Sequence, residues 1–251
     1  MNPEFYDPIF LKGKNPVGVL LIHGFTGTPE SVAPWAHGLN QSGMTVYVPR
    51  LAGHGSDWRE LRKSDWGDWL DSAEQALADL EVQVDEVFVA GCSMGGAIAL
   101  RLAELFPKRF AGLMLLNPTI MDNHIRMIAA KFLAPIIPSI KSEGTDVAKP
   151  NAIITSQSRL STHAANSLHK FRHIVRRDLP LVHMPTAIYL SRQDHVVPPS
   201  NGLLIANSIR SRRVETHFFE NSYHVVPQDF DVDELIQKSS AFINSLVAVE
   251  I

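Results

Sequence analysis

The feature that most constrains this chain is the pentapeptide G-C-S-M-G at residues 91–95, which lies between an apolar run and a helix-like segment. The run at residues 87–90 predicts a buried strand, and residues 96–106 predict a helix. The two flanking glycines allow the tight strand-to-helix turn that presents a nucleophilic serine, here Ser93. The alternative is a glycine-rich turn in which Ser93 only caps the helix.

The rest of the chain alternates predicted strands and helices, which is typical of a parallel sheet covered by helices on both faces. Continuous apolar runs indicate central strands that are buried on both sides. Residues 1–16 show no regular pattern. The predicted strands lie at residues 17–22, 45–48, 87–90, 111–116, 186–190 and 216–219, and the predicted helices at 29–42, 65–80, 96–106, 201–209 and 232–246. The sequence therefore predicts an α/β fold with a mostly parallel central sheet.

This alternation breaks between residues 118 and 180, where we find no convincing strand. The segment holds a helix-like apolar stretch at 125–133, a stretch with several prolines at 135–140 and a second helical stretch at 164–175. Its length and composition predict a small insertion, or lid, folded over the sheet. We therefore expect a core formed by residues 1–117 and 181–251, with the lid at 118–180.

A nucleophilic serine needs a base that accepts its proton and an acid that orients the base. In a parallel sheet, both are expected in loops that follow later strands. Asp194 is the carboxylate in the loop after the strand at 186–190, and His224 lies in the loop after the strand at 216–219. The order Ser93, Asp194, His224 is that of the α/β-hydrolases. We therefore predict these three residues as a catalytic triad.

His195 is the alternative base, because it also follows the strand at 186–190. However, it adjoins Asp194, and adjacent residues of an extended loop point in different directions. Asp194 is therefore poorly placed to orient it. Taken singly, Asp194 can also be interpreted as a loop-capping acid and His224 as an ordinary loop histidine. Their joint placement after successive strands favours the triad.

Two backbone N–H groups are expected to bind the oxyanion that forms during acyl transfer. The first belongs to Met94, the residue after the nucleophile, and the second lies in the loop after the strand at residues 17–22. Phe25 is the candidate there, because Gly24 lets the backbone aim the N–H group. We interpret His23 as a buried structural histidine.

Charge and composition argue against several other classes of protein. The net charge of -3 and the pI near 6.4 do not favour nucleic acid as a partner, and we interpret the arginines at 172–177 and 212–213 as solvated faces. The histidines are scattered, without an H-E-x-x-H motif, and no G-x-G-x-x-G is present, so we expect neither a metal nor a cofactor. The single cysteine, Cys92, fits a reducing compartment, and neither a signal peptide nor a long apolar span is found. We therefore expect a cytoplasmic soluble protein.

Several stretches resemble the bacterial monoacylglycerol lipases and their carboxylesterase relatives, in the α/β-hydrolase superfamily. The similar stretches are G-V-L-L-I-H-G-F-T-G-T-P at 18–29, P-R-L-A-G-H-G at 49–55, G-C-S-M-G-G at 91–96, D-H-V-V-P-P at 194–199 and N-S-Y-H-V at 221–225. The resemblance implies hydrolysis of monoacylglycerols to a fatty acid and glycerol, with a triad of Ser93, Asp194 and His224. It also implies Phe25 and Met94 as oxyanion donors, and a small lid over an acyl tunnel.

Within the lid, the resemblance indicates Ile140 as a residue that lines the acyl path. Relatives read the glycerol head group with polar lid residues, and no carboxylate for that role occurs at residues 156–159. The apolar residues at 132–140 predict either a dry surface for acyl chains or a contact that holds the lid on the core. The sequence of the lid therefore predicts the substrate less firmly than the triad residues predict the reaction.

Together these patterns predict a serine ester hydrolase that forms an acyl-enzyme on Ser93, with monoacylglycerols as the expected substrates. The alternatives are a general short-to-medium-chain carboxylesterase, a thioesterase or cofactor-free haloperoxidase, and an inactive hydrolase-fold protein that binds a lipophilic ligand. We expect a small lipophilic ester as substrate, no nucleic-acid partner and transient contact with lipid aggregates. The oligomeric state is left open between monomer and homodimer.

Overall fold

The computed structural model of the protein describes residues 6–121, 137–141, 146–150, 152, 157 and 159–247. The strands are β1 (Ile9–Leu11), β2 (Val17–Ile22), β3 (Thr45–Val48), β4 (Glu86–Cys92), β5 (Gly112–Leu116), β6 (Ser139–Lys141), β7 (Arg159–Ser161), β8 (Thr186–Ser191) and β9 (Val214–Phe219). The helices are α1 (Ala33–Gln41), α2 (Trp58–Leu61), α3 (Trp66–Glu81), α4 (Met94–Leu105), α5 (Thr162–Asp178), α6 (Ser200–Ser208) and α7 (Val232–Val247), with short 3₁₀ turns at Pro29–Val32, Leu179–Leu181 and Val226–Gln228.

Seven of the described strands form one sheet, in the order β1-β3-β2-β4-β5-β8-β9. β1 is antiparallel to β3, and the other neighbouring strands are parallel to each other. β6 and β7 form a separate antiparallel pair. The predicted mostly parallel sheet flanked by helices is therefore confirmed.

The parallel strands end close to one edge of the sheet. Ile22, the last residue of β2, pairs with Gly91 of β4, which in turn pairs with Leu115 of β5. Farther along the sheet, the last residues of β8 and β9, Ser191 and Phe219, pair with each other. The loops that follow β2, β4, β5, β8 and β9 therefore meet at this edge, where ligands of open parallel sheets bind.

Helices cover both faces of the sheet, because successive side chains of a strand point to opposite sides. Leu20 of β2 lies in a buried cluster with Trp69 of α3 and Ile98 of α4. The next residue, Leu21, lies in a second cluster with Trp35 of α1. All six residues of β2 are buried, as the continuous apolar run predicts.

The structure corrects the description of residues 1–16 as irregular, because β1 pairs with β3 at the edge of the sheet. Ile9 pairs with Val48, and Leu11 pairs with Val46. A strand of three residues contains too few positions for its alternation to be recognised in a sequence. Its place is fixed by hydrogen bonds to a strand more than thirty residues away, which no local pattern encodes.

The segment at 118–180 also contains strands that the sequence did not predict. Ile140 of β6 pairs with Leu160 of β7, in strands of three residues each. Such strands are stabilised by their pairing rather than by a pattern of their own. The stretch predicted as a helix at 125–133 lies outside the described residues, and the assignment of 118–180 as a lid stays a prediction.

Helix α5 lies within that segment and packs against the core. Leu168 and Phe171 belong to the main buried cluster, and the Phe171 ring stacks on Trp66 of α3 with ring centroids 5.3 Å apart. Arg172 is also buried, so its interpretation as part of a solvated face is wrong. Because Arg172 follows Leu168 by four residues, it falls on the helix face that packs on the core.

Candidate active site

Ser93 lies in a strained turn between β4 and α4. Its φ of 56° and ψ of -116° belong to a region that residues with a side chain rarely adopt. A Cβ atom on Gly91 would overlap the backbone of Gly95, and one on Gly95 would overlap the carbonyl oxygen of Ile22. The two glycines therefore permit the close approach that this turn needs, and the turn holds Ser93 at the edge of the sheet.

Asp194 and His224 form a buried hydrogen-bonded pair at the same edge. The Oδ2 atom of Asp194 lies 2.7 Å from the Nδ1 atom of His224, and their side chains are 1% and 9% exposed. Because a carboxylate only accepts hydrogen bonds, the histidine Nδ1–H donates, and Nε2 of a neutral ring is left with the lone pair of a base. The Oδ1 atom of Asp194 accepts the N–H groups of Val196 and Val197, which fixes the carboxylate.

Asn117, the residue directly after β5, links the loops around this pair. Its Nδ2 donates to the carbonyl of His224 at 2.9 Å, and its Oδ1 accepts the N–H of Ser191 at 2.8 Å. The preceding residue, Leu116, accepts the N–H of Ser93 at 2.9 Å. Asn117 was not predicted from the sequence, although a polar residue at the end of a fully buried strand was the available signal.

The loop after β2 lies beside Ser93. A Cβ atom on Gly24 would be 3.4 Å from the Cβ of Ser93, which places the backbone before Phe25 next to the serine. The Phe25 ring packs against Trp69 with ring centroids 5.6 Å apart. Met94 begins α4, whose N-terminus carries partial positive charge that favours an anion. The roles of the Phe25 and Met94 N–H groups as oxyanion donors stay predictions.

His23 is fully buried and holds two loops. Its Nδ1 lies 3.0 Å from the Gly24 carbonyl and its Nε2 accepts the N–H of Leu51 at 3.3 Å. Burial lowers its pKa to about 4, against the opposing effect of the Gly24 carbonyl. His54 packs edge-to-face against it, and burial and the neighbouring His23 lower the pKa of His54 to about 3. Both rings are therefore neutral structural groups at physiological pH.

Cys92 next to the serine is not a rival nucleophile. Burial raises the pKa of its thiol to about 12, and the carboxylate of Asp194 adds to the shift. Because the thiolate is the reactive form, the thiol is inert at neutral pH. The free thiol is buried, where it packs as a small hydrophobic residue.

The alternative base, His195, pairs with a different acid. Its Nδ1 lies 2.8 Å from Oδ1 of Asp146, and its backbone N–H donates to Oδ2 of the same residue at 3.1 Å. Asp194 orients His224 instead. Asp146 was not predicted from the sequence, because it lies 49 residues from His195, in a segment without a recognisable pattern.

The segment at 118–180 reaches the loop of Phe25 through Gln157. The Gln157 N–H donates to the carbonyl of Thr26 at 3.2 Å, and the residue is buried. Ile140, the candidate for the acyl path, is half-buried in β6. Its role in the acyl path stays a prediction.

One pair of histidines departs from the description of the histidines as scattered. His169 and His173 have the H-x-x-x-H spacing on α5, and their rings stand edge-to-face with centroids 4.7 Å apart. Among the described residues, no group of three histidine, cysteine, aspartate or glutamate side chains is arranged to hold a metal ion. In the same part of the chain, no helix is long and apolar enough to cross a membrane.

A strained serine after a central strand, with a buried Asp–His pair in the loops after β8 and β9, defines the α/β-hydrolase class. The chain belongs to the serine aminopeptidase S33 family, whose sequence model matches residues 14–231. It is 34% identical to the thermostable monoacylglycerol lipase of Bacillus sp. (strain H-257), over 93% of this chain and 92% of that protein. A carboxylesterase of Bacillus subtilis (strain 168) is 24% identical, over 95% and 96% of the two chains. The resemblance to these bacterial enzymes is confirmed.

Solved structures share the fold. A structure reported for LipS and LipT, two metagenome-derived lipolytic enzymes, matches with a TM-score of 0.92 and 36% identity, over 96% of this chain and 98% of that one. The monoacylglycerol lipase of Paleococcus ferrophilus matches with a TM-score of 0.81 and 16% identity, over 95% and 98% of the chains. The α/β-hydrolase fold predicted from the sequence is therefore confirmed.

Proposed function

We propose that this chain is a carboxylic ester hydrolase that cleaves monoacylglycerols to a fatty acid and glycerol through an acyl-enzyme on Ser93. The observation that carries the proposal is the buried contact of 2.7 Å between Asp194 and His224, at the sheet edge where the strained Ser93 lies. A relative named a monoacylglycerol lipase, which matches almost the whole chain, supports the substrate class.

In this proposal the Ser93 hydroxyl attacks the ester carbonyl while Nε2 of His224 takes its proton. The glycerol leaves with that proton, and a water molecule activated by His224 then releases the fatty acid from Ser93. Asp194 holds the imidazole in the required tautomer and stabilises its positive charge. Because Asp194 is 1% exposed and fixed by two backbone N–H groups, it keeps this orientation through both steps.

The oxyanion of each tetrahedral intermediate is bound by the N–H groups of Met94 and Phe25. Each such donor contributes roughly 3–4 kcal/mol to the stability of the transition state. Gly24 beside the Ser93 Cβ supports the proposed place of the Phe25 donor. The position of Met94 at the start of α4 supports the other, because the helix dipole adds to the attraction for negative charge.

The segment at 118–180 is proposed as the lid that selects the substrate. Gln157 supports this role, since it bonds to Thr26 next to the proposed oxyanion donor Phe25. Ile140 is proposed to line the acyl path. Transient contact with lipid aggregates is proposed because the substrate class is lipophilic, as the relative named a monoacylglycerol lipase supports. We also propose a cytoplasmic location, which the single free cysteine supports.

A general carboxylesterase is the second candidate, because the B. subtilis relative of that name matches nearly the whole chain. A substrate panel separates the two functions. It compares monoacyl-, diacyl- and triacylglycerols, nitrophenyl esters from C2 to C16, and an aminoacyl nitroanilide that tests for peptidase activity. Ser93→Ala serves as the inactive control. Ser42→Ala, at the exposed residue that follows the last residue of α1, serves as the matched control.

We expect kcat/KM for monoacylglycerols to exceed that for di- and triacylglycerols by about tenfold or more, since we propose that the lid leaves room for only one acyl chain. Ser93→Ala should abolish turnover, and Ser42→Ala should leave it unchanged. Preference for C2–C4 esters without glyceride turnover would contradict the lipase proposal and favour the carboxylesterase. Turnover of the nitroanilide alone would contradict both.

A further inference from the structure

Asp146 contacts the loops that carry both Asp194 and His224. Its Oδ2 atom accepts the backbone N–H of His224 at 3.2 Å and that of His195 at 3.1 Å. Its Oδ1 atom lies 2.8 Å from Nδ1 of His195, and its carbonyl accepts the N–H of Val225 at 3.1 Å. One residue therefore fixes the backbone on both sides of the His224 side chain and the residue after Asp194.

Asp229 fixes the same two segments a short distance away. Its Oδ2 atom accepts the N–H of Ala148 at 2.8 Å and the N–H of Tyr223 at 2.9 Å. Its Oδ1 atom accepts the N–H of Lys149 at 3.0 Å, and the whole residue is 1% exposed. The segment at 146–149 and the loop of His224 are thus joined at two places, so Asp146 does not hold its position alone.

These contacts fix the position of the His224 backbone, which the hydrogen bond to Asp194 does not fix. The bond to Asp194 sets the direction of Nδ1, but a single hydrogen bond allows the ring to shift with its backbone. The distance from Nε2 to the Ser93 hydroxyl then depends on where the His224 backbone lies. A misplacement of about 1 Å can cost on the order of 100-fold in rate.

We propose that Asp146 is a positioning residue for the hydrolytic reaction: it holds the backbone of His224, and with it Nε2, at the distance from Ser93 that proton transfer requires. The inference rests on the proposed function, because it assigns His224 as the base. It also gives the segment at 118–180 a part in the chemistry besides the selection of substrate. In this role Asp146 acts through the backbone of His224 and not through the Ser93 hydroxyl or the His224 ring.

The proposal distinguishes between replacements at position 146. Asparagine can place its Oδ1 where the aspartate Oδ2 accepts both backbone N–H groups. Its Nδ2 can then donate to Nδ1 of His195, provided that the ring carries its proton on Nε2. Alanine removes the side-chain acceptor and keeps only the backbone carbonyl that bonds to Val225, and serine is too short to reach both N–H groups. If the backbone contact is what matters, activity should follow the order Asp, Asn, then Ser and Ala.

The experiment measures kcat and KM with a short nitrophenyl ester, together with the rate of inactivation by a small fluorophosphonate. Inactivation requires an activated Ser93 but no acyl or glycerol recognition. The variants are Asp146→Ala, Asp146→Ser, Asp146→Asn and His195→Gln, the last of which removes only the ring contact. Asp65→Ala is the matched control, because Asp65 also accepts a backbone N–H group, as the N-cap of α3.

We expect Asp146→Ala and Asp146→Ser to lower kcat and the inactivation rate together by about 10- to 100-fold, with KM changed less than about threefold. Asp146→Asn, His195→Gln and Asp65→Ala should stay within about fivefold of the wild type in both rates. If Asp146→Ala does not fold, the comparison of Asp146→Ser with Asp146→Asn tests the same proposal.

A fall in melting temperature of Asp146→Ala or Asp146→Ser with kcat unchanged would show a merely structural anchor and overturn the proposal. An effect confined to KM would also overturn it, in favour of a substrate contact. Equal loss in Asp146→Asn and Asp146→Ser would overturn the backbone contact as the cause. Failure of the wild type to react with the fluorophosphonate would instead contradict the proposed function.

Discussion

At the scale of single residues, the proposed triad depends on how firmly its acid is held. Asp194 uses one oxygen for two backbone N–H groups and the other for His224. Its environment leaves little freedom for a different orientation, and the contact defines which imidazole nitrogen carries the proton. A change at Asp194 that keeps its shape should therefore act through the tautomer of His224.

Asp194→Asn should lower kcat by about 1,000- to 10,000-fold and leave KM almost unchanged, because the amide favours the wrong tautomer of His224. Steady-state kinetics with a nitrophenyl ester measure this effect. A matched variant, Asp178→Asn, changes a carboxylate that bonds to Arg101 and Arg177 away from the site and should leave kcat unchanged. A loss of less than tenfold in Asp194→Asn would count against Asp194 as the orienting acid.

Gly95→Ala tests whether the turn at Ser93 needs its glycine. The new Cβ would overlap the backbone carbonyl oxygens of Ile22, the last residue of β2, and of the buried His23 that follows it. We expect a loss of more than about 3 kcal/mol in the free energy of unfolding. Gly67→Ala, on α3, is the control: its Cβ would meet only a side-chain oxygen of Asp65. Urea unfolding measures the free energy of unfolding of both variants. Equal free energies for Gly95→Ala and Gly67→Ala would contradict the steric argument.

At the scale of elements, α4 and α5 are joined by a buried hydrogen-bonded cluster around Arg101. Arg101 bonds to Glu104 and to Asp178, in each case at 2.9 Å, and the Glu104 side chain is fully buried. Burial raises the pKa of Glu104 to about 8, against the opposing effect of Arg101. Because the pKa in the folded protein lies above that in the unfolded chain, the folded state binds the proton more tightly. The contribution of Glu104 to the stability of the folded state is complete below its pKa in the unfolded chain and is lost as the pH rises through 8.

The melting temperature of the wild type should therefore fall between pH 6 and pH 9 by more than that of Glu104→Gln, with a difference of about a few degrees. Glutamine cannot ionise, so the variant lacks this contribution to the pH dependence. Differential scanning calorimetry across this range measures it. Glu60→Gln, which removes an exposed carboxylate paired with Lys63, serves as the control. Parallel curves for the wild type and Glu104→Gln would contradict the assignment.

The elements also show what could be read from the sequence. The strands β2, β4, β5 and β8 were predictable because each is a continuous apolar run buried on both faces. β1, β6 and β7 were not, since a strand of three residues is stabilised by a distant partner. The burial of Arg172 was missed for a related reason, because an arginine on an apolar helix face looks polar until the packing is known.

The candidate site could be predicted only in part. Ser93, Asp194 and His224 could be chosen because each follows a predicted strand and because their order is typical of one class. Asn117 and Asp146 could not be chosen with equal force. Asn117 bonds to residues 74 and 107 positions away, and Asp146 bonds to residues 49 and 78 positions away. These bonds depend on how the loops converge in space.

At the scale of the whole molecule, the parallel sheet explains why residues far apart in sequence form one site. The central strands end at one edge, so the loops after β2, β4, β5, β8 and β9 meet there. Two buried clusters, one on each face, hold the strands in register. The same framework is seen in a lipolytic enzyme that matches with a TM-score of 0.92.

The strongest test of the proposed triad is intact-protein mass spectrometry after incubation with a fluorophosphonate, followed by mapping of the modified peptide. We expect one adduct per chain, located on Ser93. Its formation should slow by about 1,000-fold or more in His224→Ala, because the base is lost. An adduct on another residue, or labelling of Ser93 that proceeds at the wild-type rate in His224→Ala, would contradict the proposed triad.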